Sequence, residues 1–487
     1  MTYSGTPGFT WYPLHGGSAV DDSDTDDGGV TPTAARALSP ADTIKNTARE
    51  TTPLLGFKSR WSEAVRTRLV PHPSRAGLAR KASTRAIVVD SGSRKSTYAQ
   101  SLFNSLAILL GIGLLSEPLA FSYAGWVGGT ALIIFYGWLT CYTAKILAKI
   151  IREDPTVRSY TQIAAKAFGP SGNVFCSILF CLELFTVSVV LVTIFADSFH
   201  ELVPLYSSDQ YKLIGCLILL PTVFLPLSFL SYASLLGVVS TIFIICVLLY
   251  DGVTKYEAPG SLWQPAETSL APASSIKFAL AFGLFMAGFS GHAVVPSLAL
   301  DMEEPERFDD MINNAFVLAT FFYGLIGAVG YTMMGDSVSA EISQDLLRMP
   351  GYNRPLNELC VWMLVIVPLT KYALATRPLN ITLEMLLGLG QPDTVPVQGQ
   401  RRWTTSLIVE RVAVLATVIC TSILVPDFSA TMAFLGSCSA FVLCVIGPIL
   451  AKVAVEGRCG AFDALLLAIS VAMASSGTYA AFFVAAD

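Results

Sequence analysis

Charge is what this sequence has least of. Charged residues fill 14% of its 487 positions, against about 25% in an ordinary soluble domain, too few to coat a water-soluble fold of this size. Histidine is scarcer, with four in all, and no metal-ligand spacing or nucleophile–base pattern accompanies them. That removes the usual designs of metal and nucleophilic enzymes, so neither an enzyme nor a cofactor is expected. The ten cysteines contain no C-x-x-C pair and lie in or beside apolar runs, which makes them packing residues rather than a disulfide framework or metal site. A broad basic field is also missing, with 31 Lys and Arg against 36 Asp and Glu. Nucleic acid is therefore excluded as a partner.

What is present is apolar: 53% of residues are hydrophobic, and they are grouped. Residues 1–95 are rich in Ser, Thr, Pro, Gly and Arg and read as a disordered cytosolic tail. It has an acidic cluster from Asp21 to Asp27 and a basic remainder ending close to the first apolar run. From Leu102 onward, stretches of about 17 to 25 residues, the length that crosses a bilayer, recur eleven times. They fall near 102–122, 126–151, 174–196, 213–230, 232–250, 276–300, 311–334, 359–379, 407–425, 432–453 and 461–485, with the fourth and fifth separated only at Ser231. Residues 96–487 are thus an all-α integral membrane domain. Lys and Arg in short loops and span ends concentrate on the side of the tail. That bias predicts a cytosolic N-terminus and, with an odd number of spans, a C-terminus on the opposite face.

Two spans carry the same interruption. Span one reads FNSLAILLGIGLLSEPLAF, with Gly111 and Gly113 mid-membrane and Pro118 five residues after the second glycine. Span six reads FGLFMAGFSGHAVVPSLAL, with Gly288 and Gly291 mid-membrane and Pro296 again five residues on. Gly frees the backbone, and Pro removes an N–H and clashes with the preceding turn, so both spans are predicted to break. Glycine also permits close helix packing, which is the alternative for either span alone. Broken segments at membrane depth are tolerated where their peptide groups face a cavity or ligand. Five helices separate the two breaks, so the second crosses in the opposite sense, as in the inverted repeats of secondary transporters. A half-helix N-terminus suits a carboxylate and the opposing carbonyls suit an ammonium group. An amino acid carries both.

These runs, with VPLTKYALATRPL near residue 370, resemble the amino acid/auxin permease family. Within it the chain looks most like the fungal vacuolar amino acid transporters, relatives of the vesicular inhibitory amino acid transporter. The resemblance covers about residues 96–485. It implies a leucine-transporter-type fold of two five-helix inverted repeats, with helices 1 and 6 broken and one extra C-terminal helix. It also implies proton-coupled movement of amino acids, neutral or of broad range, across a vacuolar, lysosome-like membrane. Antiport into the vacuole is the expected direction, and symport uses the same architecture. By the resemblance, Gly111, Ile112, Gly113 and the adjoining Leu114 would hold the substrate carboxylate through backbone groups. Gly288, Phe289, Ser290, Gly291 and His292 would line the rest of the pocket.

Ionisable side chains within spans cost several kcal/mol each by insertion scales, roughly 2.5 to 3.5, so each raises a functional question. Glu183, mid-span three, is a candidate for taking up and releasing a proton, or is a carboxyl kept neutral or paired. His292 relays a proton, touches substrate, or holds a freed carbonyl. Lys371 in span eight is a fixed cation that argues against sodium there. Asn104 and Thr370 are possible oxygen donors to an ion or substrate, or polar ties between helices. In the tail, Glu50, Leu54 and Leu55 resemble an acidic dileucine sorting signal that an adaptor would read. A membrane amino acid sensor, reporting through the tail or loops, is the alternative function. The expected partners are an amino acid, protons, the lipid bilayer and that sorting adaptor.

Overall fold

The computed structural model describes residues 95–224, 227–272, 274–387 and 405–486. The tail bearing Glu50, Leu54 and Leu55 lies outside them. Among the described residues fourteen α-helices follow in order: α1 (Tyr98–Leu109), α2 (Glu117–Glu153), α3 (Tyr160–Leu202), α4 (Ser208–Thr222), α5 (Leu227–Thr254), α6 (Ser275–Gly288), α7 (Val295–Asp301), α8 (Phe308–Met334), α9 (Ile342–Arg348), α10 (Arg354–Leu386), α11 (Thr405–Leu424), α12 (Phe428–Phe434), α13 (Gly447–Glu456) and α14 (Ala461–Ala486). Nine stretches among the described residues are long and apolar enough to cross a membrane. Large apolar side chains point outward on many of them, including Leu217, Val127 and Val317, as lipid-facing surfaces require.

Nine and eleven differ for local reasons. The first and second predicted spans run into one another, because only Gly125 interrupts the stretch Ile112–Glu153. Its φ of 69° turns the chain without a loop, a conformation that glycine adopts without steric penalty. The amides freed there are not left bare. Trp126 N–H donates to the Ser269 carbonyl at 3.0 Å and Val127 N–H to Leu270 at 3.1 Å, so the segment before α6 seals the corner. The fourth predicted span is represented by α4, only 15 residues long. The break between it and α5 falls after Thr222 rather than at Ser231, which lies inside α5.

Helix α6 is the centre of the bundle. Leu280, Ala281, Leu284, Phe285 and Met286 are all fully buried, which suits a helix apolar on every face. It packs on α2, α12, α14 and the π-helical segment Leu435–Ala440 that follows α12. At one end, Ser96 pairs with the chain after α7: Ser96 N–H donates to Asp301 at 2.7 Å, and Glu303 N–H returns the bond at 2.9 Å. The Arg307 guanidinium lies over the Tyr98 ring at 4.6 Å, and Asn314 donates to the Tyr98 hydroxyl at 2.7 Å. The start of α1 is thereby tied to the segment joining α7 and α8.

Candidate functional site

Helix α1 starts firmly. Thr97 and Gln100 form a reciprocal capping box at its N-terminus, the arrangement that satisfies two orphan amides at once. It ends at Leu109, where Leu110 (φ −74°, ψ 79°) and Gly111 (φ −117°, ψ −151°) leave helical geometry. A tight 3₁₀ turn, Ile112–Ser116, leads into α2 with Pro118 in its first turn. Proline costs nothing there, since the first amides of a helix have no partner inside it. The second interruption is built the same way. Helix α6 ends at Gly288, Gly291 takes a φ of 134°, a 3₁₀ turn covers His292–Val294, and α7 begins with Pro296 in its first turn. Both predicted breaks are present at the predicted glycines.

The two breaks abut. A methyl group added to Gly113 would sit 2.7 Å from the Gly288 α-carbon and 2.9 Å from its nitrogen. A methyl on Gly291 would sit 2.9 Å from the side chain of Ile108, just before the first break. Tyr323, fully buried on α8, joins them: its hydroxyl donates to the Gly288 carbonyl at 2.7 Å and also meets the Leu109 carbonyl. The phenol has one proton for two acceptors, so it serves the last carbonyls of both helix ends. Phe289 packs edge-on against the same ring, 5.2 Å between centroids.

Beside the first break lies a narrow cleft of about 30 Å³ lined by Gly111, Ile112, Leu114 and Leu115, by Ile194 of α3, by Gly237, Ser240, Thr241 and Ile244 of α5, and by Leu364, Val367, Pro368 and Lys371 of α10. Lys371 reaches it because Gly237 has no side chain; a methyl there would lie 2.6 Å from the lysine Cε. Its ammonium has no acidic partner among the described residues. Thr241 donates at 2.9 Å to Gly237 and lies 3.5 Å from the Leu110 carbonyl of the break. A lysine amine, two hydroxyls and an irregular backbone therefore face one apolar-walled space.

The remaining predicted residues are dispersed. His292 is fully buried, with Nε2 3.0 Å from both the Thr143 hydroxyl and the Thr140 carbonyl of α2; it fastens the second break to that helix. Ser290 is half-buried in the break itself. Glu183 is buried on α3 near Tyr160, Cys176 and Cys444. The backbone amides of Gly291 and His292 lie within hydrogen-bonding reach of the Cys444 sulfur, so Glu183 stands one residue removed from the second break. Thr370 donates to Val367 of its own helix at 2.8 Å. Asn104 is exposed in a surface hollow with Ser96, Ala99, Gln100 and Phe103, away from the break.

Two residues at the junction were not singled out from sequence. Tyr323 gave no signal, since a tyrosine in a membrane helix is ordinary at an interface. Glu117 did give one: it is an acidic residue inside the first apolar run, four residues after Gly113.

With this geometry in view, the comparisons are decisive about kinship. The family described as transmembrane amino acid transporter protein matches residues 94–482. The chain belongs to that family. Among its relatives is amino acid transporter AVT1E of Arabidopsis thaliana, 30% identical over 404 residues, covering 80% of this chain and 73% of that one. Amino acid transporter AVT1D of the same plant is 31% identical over 369 residues, covering 73% of this chain and 63% of the relative. The vesicular inhibitory amino acid transporter of Mus musculus is 26% identical over 371 residues, covering 73% and 68%. These relatives are transporters, not enzymes, and the chain is a multi-pass helical membrane protein of their kind.

Proposed function

We propose that the protein carries amino acids across a vacuolar, lysosome-like membrane by alternating access about the two breaks, coupled to protons, with its tail cytosolic and its C-terminus lumenal. The observation that carries this reading is the direct apposition of break one on break six, Gly113 against Gly288, beside the cleft that holds Lys371. Counting α1 with the first turns of α2 as one crossing, and α6 with α7 as another, gives eleven crossings: two repeats of five in opposite senses and α14 as the extra helix. In that arrangement the two half-helix junctions meet near the midplane.

The cleft favours a zwitterion. Lys371 and the N-terminal end of the Ile112–Ser116 turn attract the carboxylate, and the carbonyl of Leu110 at the end of α1 offers an acceptor to the ammonium group. The walls contributed by Ile194, Ile244, Leu364 and Val367 suit a neutral side chain. Lys371 also supplies the fixed positive charge that a sodium ion would otherwise bring. Glu183, a carboxyl buried mid-span close to the second break, is the candidate for the proton, and His292 positions that break.

The test is uptake of radiolabelled neutral amino acids into sealed proteoliposomes, acidic inside, with a competition panel and with or without a proton uncoupler. Accumulation that the uncoupler abolishes is expected. Specific binding with no flux would refute transport and leave the sensor.

A further inference from the structure

Glu117 is the acidic side chain placed most directly at the junction. It opens α2 immediately after the first break, has no exposed surface, and neither carboxyl oxygen has a hydrogen-bond partner among the described residues. Its Oε1 lies 2.9 Å from where a Cβ on Gly288 would stand, and the Tyr323 ring approaches the same point from α8 at 3.2 Å. The carboxyl is thus wedged against the last residue of α6, within the packing that brings the two breaks together. Gly288 of α6 meets it with bare backbone, α8 offers the Tyr323 ring, and among the described residues no basic side chain pairs with it. An isolated carboxylate left without water, cation or donor is far too costly to keep ionised, and such a group carries its proton instead.

We propose that Glu117 is a proton-carrying residue of the transport cycle: neutral while break one is packed on break six, and able to exchange its proton only when the two part and water enters. This rests on the proton-coupled reading above and adds a residue to it. The coupling follows from the packing itself, because an ionised Glu117 opposes closure and a protonated one permits it. The helix N-terminus at Glu117 favours the anion once the site is wet, which makes release as well as uptake accessible.

The experiment compares uptake with and without an imposed pH gradient in proteoliposomes holding the full chain as wild type, Glu117→Gln or Glu117→Asp. The expected result is a wild type stimulated by the gradient and a Glu117→Gln whose ratio of the two rates falls close to unity. A Glu117→Gln ratio equal to that of the wild type overturns the assignment and leaves proton coupling standing. A wild type indifferent to the gradient overturns proton coupling, and this inference with it. Should Glu117→Gln fail to fold, Glu117→Asp decides. Drawing the carboxyl back by one methylene is expected to shift the pH at which gradient-driven uptake is half-maximal, and an unshifted profile rejects the proposal.

Discussion

Adding one methyl group at Gly113 tests the apposition of the breaks most sharply. The new carbon would stand 2.7 Å from the Gly288 α-carbon and 2.9 Å from its nitrogen, about 1 Å inside the roughly 3.5 to 4.0 Å at which carbon atoms rest. Both obstacles are backbone, so no rotamer relieves the clash and the two breaks must separate. Overpacking of this kind costs about 1 to 3 kcal/mol, and here the cost falls on the closed junction, not on a state in which the breaks have parted. At about 1.4 kcal/mol per tenfold, Gly113→Ala displaces the equilibrium away from closure by about 5- to 150-fold. Two neighbours provide controls. A methyl on Gly111 meets nothing nearer than 3.9 Å, and one on Gly324 of α8 meets nothing within 4 Å. In proteoliposomes, Gly113→Ala is expected to lower amino acid uptake by about 5-fold or more and to melt earlier in detergent, whereas Gly324→Ala changes neither. Gly111→Ala retains the fold but faces the cleft, so its effect appears in apparent affinity. Wild-type uptake and melting in Gly113→Ala would refute the reasoning.

Removing the Tyr323 hydroxyl in Tyr323→Phe takes a donor from the Gly288 carbonyl and leaves the Leu109 carbonyl with the Gly111 amide at 2.8 Å. A cost of about 1 to 3 kcal/mol is expected, read as a lower melting temperature with reduced uptake; no change in either would contradict the bridge. Exchanging sodium for choline is expected to leave wild-type uptake unaltered because Lys371 occupies the cleft, and a large fall on exchange would argue against that role. At the surface, the Lys166 ammonium and the Thr156 amide and hydroxyl hold the Asp154 carboxyl down at about 2. A lowered folded-state value stabilises the fold above the ordinary carboxylate range, near 3.9, and the gain is lost as pH falls through the folded value. The melting difference between wild type and Asp154→Asn is therefore expected to be constant from about pH 5 to 7.5 and to shrink below about pH 4; a difference that varies across the neutral range would count against it.

Much of this architecture was legible because lipid imposes few rules and the chain obeys them visibly. Apolar runs of bilayer length marked the helices, and paired glycines followed by proline marked both interruptions, since those residues act on the backbone wherever they occur. The boundary between the first two runs is also there, as the kink at Gly125, but the one expected at Ser231 is not, because a polar residue inside an apolar stretch need not end a helix. Side-chain roles were harder to read. Asn104 and Thr370 have the right chemistry, yet one faces outward and the other bonds its own helix.

The sequence by itself determined a helical membrane protein of the amino acid transporter family with breaks at Gly111–Gly113 and Gly288–Gly291, because length, hydropathy and backbone freedom are local properties. Only the tertiary structure decided that the breaks touch, that Tyr323 serves both, that His292 turns to α2, and that Glu117 is sealed with no hydrogen-bond partner among the described residues. Those facts depend on which faces of distant helices meet, and period and composition do not encode that.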